Sequence, residues 1–347
     1  MLGAHTLGAH MSDFTNVRPV SWHARGGLTS QTAYVALALV LLSLVMSAVS
    51  PAFLTIGNLS NVLTNFSYLG IAALGSTVVI ITGGIDLSVG SSMAFSAIIT
   101  ALLFRSLGNT ALVDIPGAVM TLSVFGGLAA GGLIGLVNGL FIARVGLAPF
   151  VTTLGMLSVV RGLCYALTSG QGVNINGADS NLFFRLSDGV LFGVPVPLVY
   201  LVGLALLMGL LLHHTAQGRY VFAIGGNERA AALTGVPVTR IKIGVYVISG
   251  LSAAVAGILL GGWLGSVPAN LADGYELHII AASVIGGANL AGGAGGPLGA
   301  IVGSALIEVI RNGLVLARVN TYWQDSFVGT IIIAAVCVDR LRSRLGR

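Results

Sequence analysis

Few residues in this chain have the chemistry to act on a solute. Asp86 lies in the stretch Gly-Gly-Ile-Asp-Leu-Ser-Val-Gly, flanked by Gly83, Gly84, Ser88 and Gly90. A carboxylate in an apolar region needs hydrogen-bond partners or water, and two readings stay open. Either Asp86 and Ser88 line a polar route or fix a broken helix, or Asp86 caps the helix that follows, satisfying free N–H groups and complementing the dipole. Glu308 and Arg311 are spaced to meet on one helix face, so an internal ion pair is the plainer reading and a solute contact the sharper one. Arg161 has no partner close in sequence, and either snorkels or meets a carboxylate from another helix. Asn138, Asn289 and Asn312 suit a polyol in a water-filled cavity, and equally suit hydrogen bonds between helices.

Other chemistries lack their residues. There is no Gly-x-x-x-x-Gly-Lys-Ser/Thr motif, and the sole lysine, Lys242, is followed by Ile243, so the chain has no P-loop of its own. His-Glu-x-x-His and Gly-x-Ser-x-Gly are absent, and no His and carboxylates stand at ligand spacing, so neither an enzyme nor a metal site is expected. Cys164 and Cys337 sit in apolar runs without Cys-x-x-Cys spacing, which reads as packing. His5 and His10 belong to a short Leu-Gly-Ala-His repeat in the N-terminal tail and receive no role.

The elements that must position these residues are membrane helices. Of 347 residues, 55% are apolar and 8% charged, and the mean hydropathy is +0.96. That composition excludes a water-soluble fold. The 50 glycines point to helices whose backbones approach closely. Ten membrane-length runs are expected: Thr32–Val49, Ser60–Thr82, Ser88–Phe104, Gly117–Ile142, Pro149–Thr168, Pro195–Leu212, Ile243–Leu264, Leu277–Leu290, Pro297–Ile310 and Ser326–Val338. The eighth and ninth are short for a bilayer, and with the Gly-rich stretch between them they read as bent, broken or re-entrant. The first run has no persuasive cleavage site and reads as an uncleaved span.

With both ends cytoplasmic, most of the 16 basic residues fall in inside loops, leaving Arg105, Arg185, Arg311 and Arg318 outside. The formal net charge of +5 thus reports orientation and not nucleic-acid binding. The organisation expected is an all-α integral membrane protein of about ten helices, with a cytoplasmic tail over residues 1–30, a polytopic domain over 31–338 and a basic tail over 339–347. Trp263, Tyr275, Tyr322 and Trp323 read as an aromatic belt at the outer interface.

An internal echo suggests how the spans are arranged. Asn-Gly-Leu-Phe-Ile-Ala-Arg-Val (Asn138 to Val145) recurs as Asn-Gly-Leu-Val-Leu-Ala-Arg-Val (Asn312 to Val319), closing the fourth and ninth runs. Five spans apart, the copies sit in opposite orientations, as in an inverted repeat of five plus five spans. A weaker echo, Thr82 to Gly90 against Ile285 to Gly293, is out of that register and reads as a shared need to break a helix at membrane depth.

The loop of residues 213–242 differs from the others. It contains Asn-Glu-Arg-Ala-Ala-Ala-Leu-Thr-Gly-Val, with Asn227 as an N-cap, Glu228 in the first turn and Gly235 as the stop. So short a helix needs something to pack against, either a partner protein or the chain's own membrane domain.

Together, Gly-Gly-Ile-Asp-Leu-Ser-Val-Gly, the run Pro149 to Leu163, the loop Ala223 to Val236, the segment Gly274 to Gly296, and Asn-Gly-Leu followed by Tyr-Trp-Gln-Asp resemble the permease subunits of bacterial ribose-type ATP-binding-cassette (ABC) importers. The resemblance runs from about residue 31 to the C-terminus. It implies a multi-pass inner-membrane subunit that pairs with itself or a close relative, works with a separate ABC ATPase that binds the ATP, and receives a monosaccharide from a solute-binding protein. No cofactor is implied in this chain. Asn227, Glu228, Arg229, Ala232 and Gly235 match the family's coupling helix, the part that docks on the ATPase. The chain departs from the family at His278, where Asp is usual, and in the uniformity of its Gly-rich loop. An ion-coupled secondary transporter is the alternative reading, with Asp86 and Glu308 as its relay candidates.

Overall fold

In a computed structural model, the protein is described over residues 30–320 together with Trp323, Ser326, Phe327, Gly329 and Thr330. Among the described residues, eight helices are long and apolar enough to cross a membrane. They are α1 (Ser30–Val49), α2 (Ile56–Ile81), α3 (Val89–Leu107), α4 (Ala118–Leu140, prolonged by a wider turn over Phe141–Val145), α5 (Pro149–Thr168), α7 (Val196–His214), α10 (Val238–Leu264) and α12 (Pro297–Leu316). Four shorter helices complete the set: α6 (Ser180–Asp188), α8 (Ala216–Gly226), α9 (Glu228–Leu233) and α11 (Tyr275–Ile285). The only strands among the described residues are short pairs, Val173–Asn174 with Ser266–Val267 and Val190–Leu191 with Val194–Pro195.

Local chemistry sets several boundaries. Thr55 starts α2 by accepting from the Asn58 N–H, and Thr215 starts α8 by accepting from the Gly218 N–H. Proline stands in the first turn of α5, α7 and α12, where its missing N–H costs nothing.

Two expectations need correction. The eighth span shrinks to the 11-residue α11, because the residues after Ile285 leave the helix for a loop in which Gly287, Gly292, Gly293 and Gly295 have positive φ. Arg311 lies inside α12 and not in an outer loop, since that helix continues to Leu316. The expected tenth span, Tyr322, Cys337 and the two tails lie wholly or mostly outside the described residues.

Helix α2 is buried along most of its length, and α10 is its counterpart. The packing is mirrored: α10 lies on α4, α3 and α2, while α2 lies on α12, α11 and α10, and α3 pairs with α4 as α11 pairs with α12. This is the pattern that matching α2 to α10, α3 to α11 and α4 to α12 produces, and the Asn138 and Asn312 echoes fall on the matched helices α4 and α12. The most extensive helix pairing, α4 on α10, depends on Gly131, Gly135 and Gly139 at intervals of one helical turn. A Cβ on Gly131 would stand 2.6 Å from the Gly250 carbonyl oxygen, and one on Gly139 2.8 Å from the Ile243 Cα. Larger residues would push the helices apart, and close backbone contact is a main source of helix association where lipid removes the hydrophobic drive.

Candidate functional site

Helix α2 stops at the glycine pair of the Asp86 motif. Gly83 has φ +77°, and Gly84 has no room for a side chain because a Cβ there would be 2.6 Å from the Tyr246 hydroxyl. The chain then crosses a non-helical stretch before α3 begins at Val89. The cap position of α3 belongs to Ser88, so Asp86 is not that cap. Its carboxylate, 2% exposed, is instead the centre of a network. Oδ1 accepts from the Ser88 N–H at 3.0 Å and the Ser88 hydroxyl at 2.7 Å, and Oδ2 accepts from the Ser249 hydroxyl at 2.8 Å. Asn138 of α4 donates to Ser88 Oγ at 2.9 Å. The Thr153 hydroxyl of α5 lies 2.9 Å from the Pro149 carbonyl of its own helix and 3.3 Å from the Ile85 carbonyl, a donor shared between the two. One carboxyl group therefore ties the break to α10 directly and to α4 through Ser88, and its two oxygens accept from three donors, as a buried polar group requires.

A second break separates α10 from α11, and α5 holds this one too. Arg161 donates to the Leu271 carbonyl at 2.9 Å and the Ala269 carbonyl at 3.4 Å, with Asp273 3.6 Å away. Arg161 thus meets a loop backbone first and a carboxylate second. The two breaks lie close together, since a Cβ on Gly90 of α3 would be 2.7 Å from the Ala272 carbonyl.

The remaining sequence candidates separate. Asn312 and Asn58 exchange amide hydrogen bonds at 2.8 and 3.0 Å, joining α12 to α2. Asn289 accepts from the Ala291 N–H at 3.0 Å and shapes the loop after α11. Glu308 and Arg311 are 3.5 Å apart, and the Arg311 guanidinium lies over the Tyr275 ring, 5.7 Å from its centre. Asp86, Ser88 and Asn138 are thus brought together, while Asn289 and Asn312 are elsewhere. Among the described residues, no three His, Cys, Asp or Glu side chains gather as a metal site.

At the end of the bundle where α2 finishes, α8 and α9 form a separate feature. Asn227 caps α9 by accepting from the Ala230 N–H at 3.0 Å, and Gly235 turns the chain with φ +86°. Glu228 is engaged by Lys242 of α10 at 2.6 Å, which fixes α9 against the bundle. Arg229, Ala232 and Thr234 are exposed. Leu233 is 89% exposed, an apolar side chain with nothing packed over it. Sequence reasoning passed over Leu233, although a single large apolar residue in a short polar-ended helix was the available signal. It also passed over Ser249 and Asn58, whose partners are remote in sequence.

Residues 58–336 match the family described as branched-chain amino acid transport system, permease component. The chain belongs to this permease family. The permease is also similar to sugar importers: it is 40% identical over 305 residues to the ribose import permease RbsC of Escherichia coli K12, covering 87% of this chain and 92% of the relative. It is 37% identical over 308 residues to RbsC of Bacillus subtilis, covering 88% and 92%. It is 39% identical over 329 residues to the galactose/methyl galactoside import permease MglC of Haemophilus influenzae, covering 91% and 95%. No solved structure matches it. The permease is a multi-pass protein of the inner membrane.

Proposed function

We propose that this permease is the membrane subunit of an ABC importer that carries a monosaccharide, a pentose or hexose of the ribose and galactose kind, into the cytoplasm. Similarity over most of the chain to import permeases for those sugars supports the substrate class. The observation that carries the energy coupling is α9, a capped helix at one end of the bundle that leaves Leu233 uncovered. An exposed apolar side chain on a short helix fits a groove in a partner. We assign that partner as a cytoplasmic ABC ATPase, which binds the ATP the chain has no P-loop to hold. Asn227, Glu228, Arg229, Ala232 and Gly235 form or shape the docking surface, and Leu233 is its anchor. A solute-binding protein delivers the sugar at the other face, and a second permease subunit completes the pathway. The ion-coupled alternative is not favoured, since both its relay carboxylates are occupied, Asp86 by three donors and Glu308 by Arg311.

The test is recovery of the complex from native membranes in mild detergent, with Leu233→Asp beside the wild type. The ATPase is expected with the wild type and absent with the variant, while both insert normally. An ATPase retained equally by both would remove Leu233 as the anchor. Ion-driven uptake without any ATPase would overturn the importer reading.

A further inference from the structure

Three segments remote in sequence meet backbone to backbone at the end of the bundle that carries α9: the last turn of α2, the last turn of α8 and the glycine loop between α11 and α12. The Gly293 N–H donates to the Ile81 carbonyl of α2 at 2.9 Å. A Cβ on Gly225 of α8 would collide with that same Ile81 carbonyl oxygen and stand 2.5 Å from the Gly293 nitrogen. A Cβ on Gly292 would lie 2.7 Å from the Gly225 carbonyl oxygen and 3.1 Å from the Gly83 nitrogen. The two sequence echoes that begin at Thr82 and Ile285 therefore touch, and α8 is wedged against both. No side chain lies between these backbones at Gly225, so no rotamer change can absorb a displacement there.

The junction has a mechanical input and an output. On the input side, Asn227 belongs to both helices: its N–H donates to the Ala223 carbonyl of α8 at 3.1 Å, while its side chain accepts from the Ala230 N–H of α9 at 3.0 Å, so no linker longer than this one residue separates α8 from α9. On the output side, Ile81 and Gly83 lead directly to Ile85 and the Asp86 network that ties α3, α4 and α10. We infer that Gly225, Gly292 and Gly293 are positioning residues that make α8 one rigid unit with the end of α2 and the α11–α12 loop, so that displacement of α9 reaches both without loss. This rests on the assignment of α9 as the ATPase-docking helix.

The experiment compares Gly225→Ala with Gly226→Ala, whose Cβ has open space. Each is reconstituted in proteoliposomes with the ATPase and binding protein of its own system, and sugar uptake and ATP hydrolysis are measured together. Gly225→Ala is expected to keep ATPase recovery and hydrolysis within about twofold. Its sugar transported per ATP is expected to fall by about tenfold or more, the scale of a lost coupling, while Gly226→Ala keeps the wild-type ratio. An unchanged ratio in Gly225→Ala would overturn the inference.

If Gly225→Ala does not assemble, nitroxides on Arg219→Cys and Leu290→Cys decide the matter, with Gly225 intact and the native cysteines replaced by Ser. Their separation should hold within about 2 Å between nucleotide-free and ATP-bound complexes, and a larger change would show α8 sliding past the loop. Failure of the wild type to bind any ATPase would instead refute the docking assignment, an outcome distinct from either result.

Discussion

The Ser249 hydroxyl donates to Asp86 Oδ2 at 2.8 Å, and this bond joins the interruption between α2 and α3 to the middle of α10. Replacing Asp86 by Leu strands three donors, the Ser88 N–H, the Ser88 hydroxyl and the Ser249 hydroxyl, where water cannot reach them. Each buried orphan costs about 1–3 kcal/mol, so the Leu variant should lose about 3 kcal/mol or more. Asp86→Asn keeps one acceptor for Ser88 and lets the Ser249 hydroxyl rotate to accept, so its loss should be less than half as large. Thermal melting of the two purified variants in detergent separates these cases. Equal melting of Asp86→Leu and wild type would mean that the network does not hold the break.

The paired amides of Asn58 and Asn312 make a cleaner interaction to measure, because each is the other's partner. A double-mutant cycle with Leu at both positions should give a coupling energy of about 0.6 kcal/mol, the average for hydrogen bonds between membrane helices, and no more than about 1.7 kcal/mol, the largest found. The double variant should lose less stability than the sum of the two single losses. A coupling energy of zero would show that the two residues contribute independently.

What the sequence made legible was what is encoded locally. Apolar runs such as Pro149 to Thr168 have their length and composition written in consecutive residues, and that helix has the same limits in the structure. The cap at Asn227 and the stop at Gly235 were readable for the same reason, since each acts on its neighbours. The brevity of α11 was only half visible: the glycines after it announced a break, but the contacts of Gly292 and Gly293 with the ends of α2 and α8 join segments remote in sequence. The polar network was not readable beyond its members. Asp86 could be singled out as a carboxylate among apolar residues, but nothing near it indicates that Ser249 is a partner. The echo of Asn138 in Asn312 was the exception to this locality, because its two copies fall on helices, α4 and α12, that hold matching places in the packing.

Arg161 tests whether a charge or a set of carbonyls holds it. The Asp273 side chain is 68% exposed and 3.6 Å away, whereas the Leu271 carbonyl is at 2.9 Å. An exposed ion pair of this kind contributes about 0–1 kcal/mol, so Asp273→Asn should leave stability and uptake nearly unchanged. Arg161→Leu removes the donors from the loop ahead of α11 and should lower uptake severely while ATPase recovery persists. Arg161→Lys, with a point charge in place of the planar fork, should fall between them. The observation against this picture would be Asp273→Asn matching Arg161→Leu in transport.

Asp179 caps a helix that is not its own. It precedes α6, adopts a left-handed backbone at φ 64°, and makes no side-chain bond to α6. Its carboxylate accepts instead from the Gly117, Val119 and Met120 N–H groups at 2.9, 3.1 and 3.3 Å, at the start of α4. That helix begins after a left-handed Gly117 that supplies no side-chain oxygen, so its first N–H groups depend on Asp179. Loss of such a cap costs about 0.5–2 kcal/mol, and the negative charge at a helix N-terminus adds to it. Asp179→Ala should therefore melt lower by about 1–2 kcal/mol, with Asn between Ala and wild type because it retains one acceptor but no charge. Amide hydrogen exchange makes the assignment specific: protection at Val119 and Met120 should fall in the Ala variant while that at Ile134, deeper in α4, stays constant. Unchanged exchange at Val119 and Met120 would show that α4 holds its first turn without Asp179.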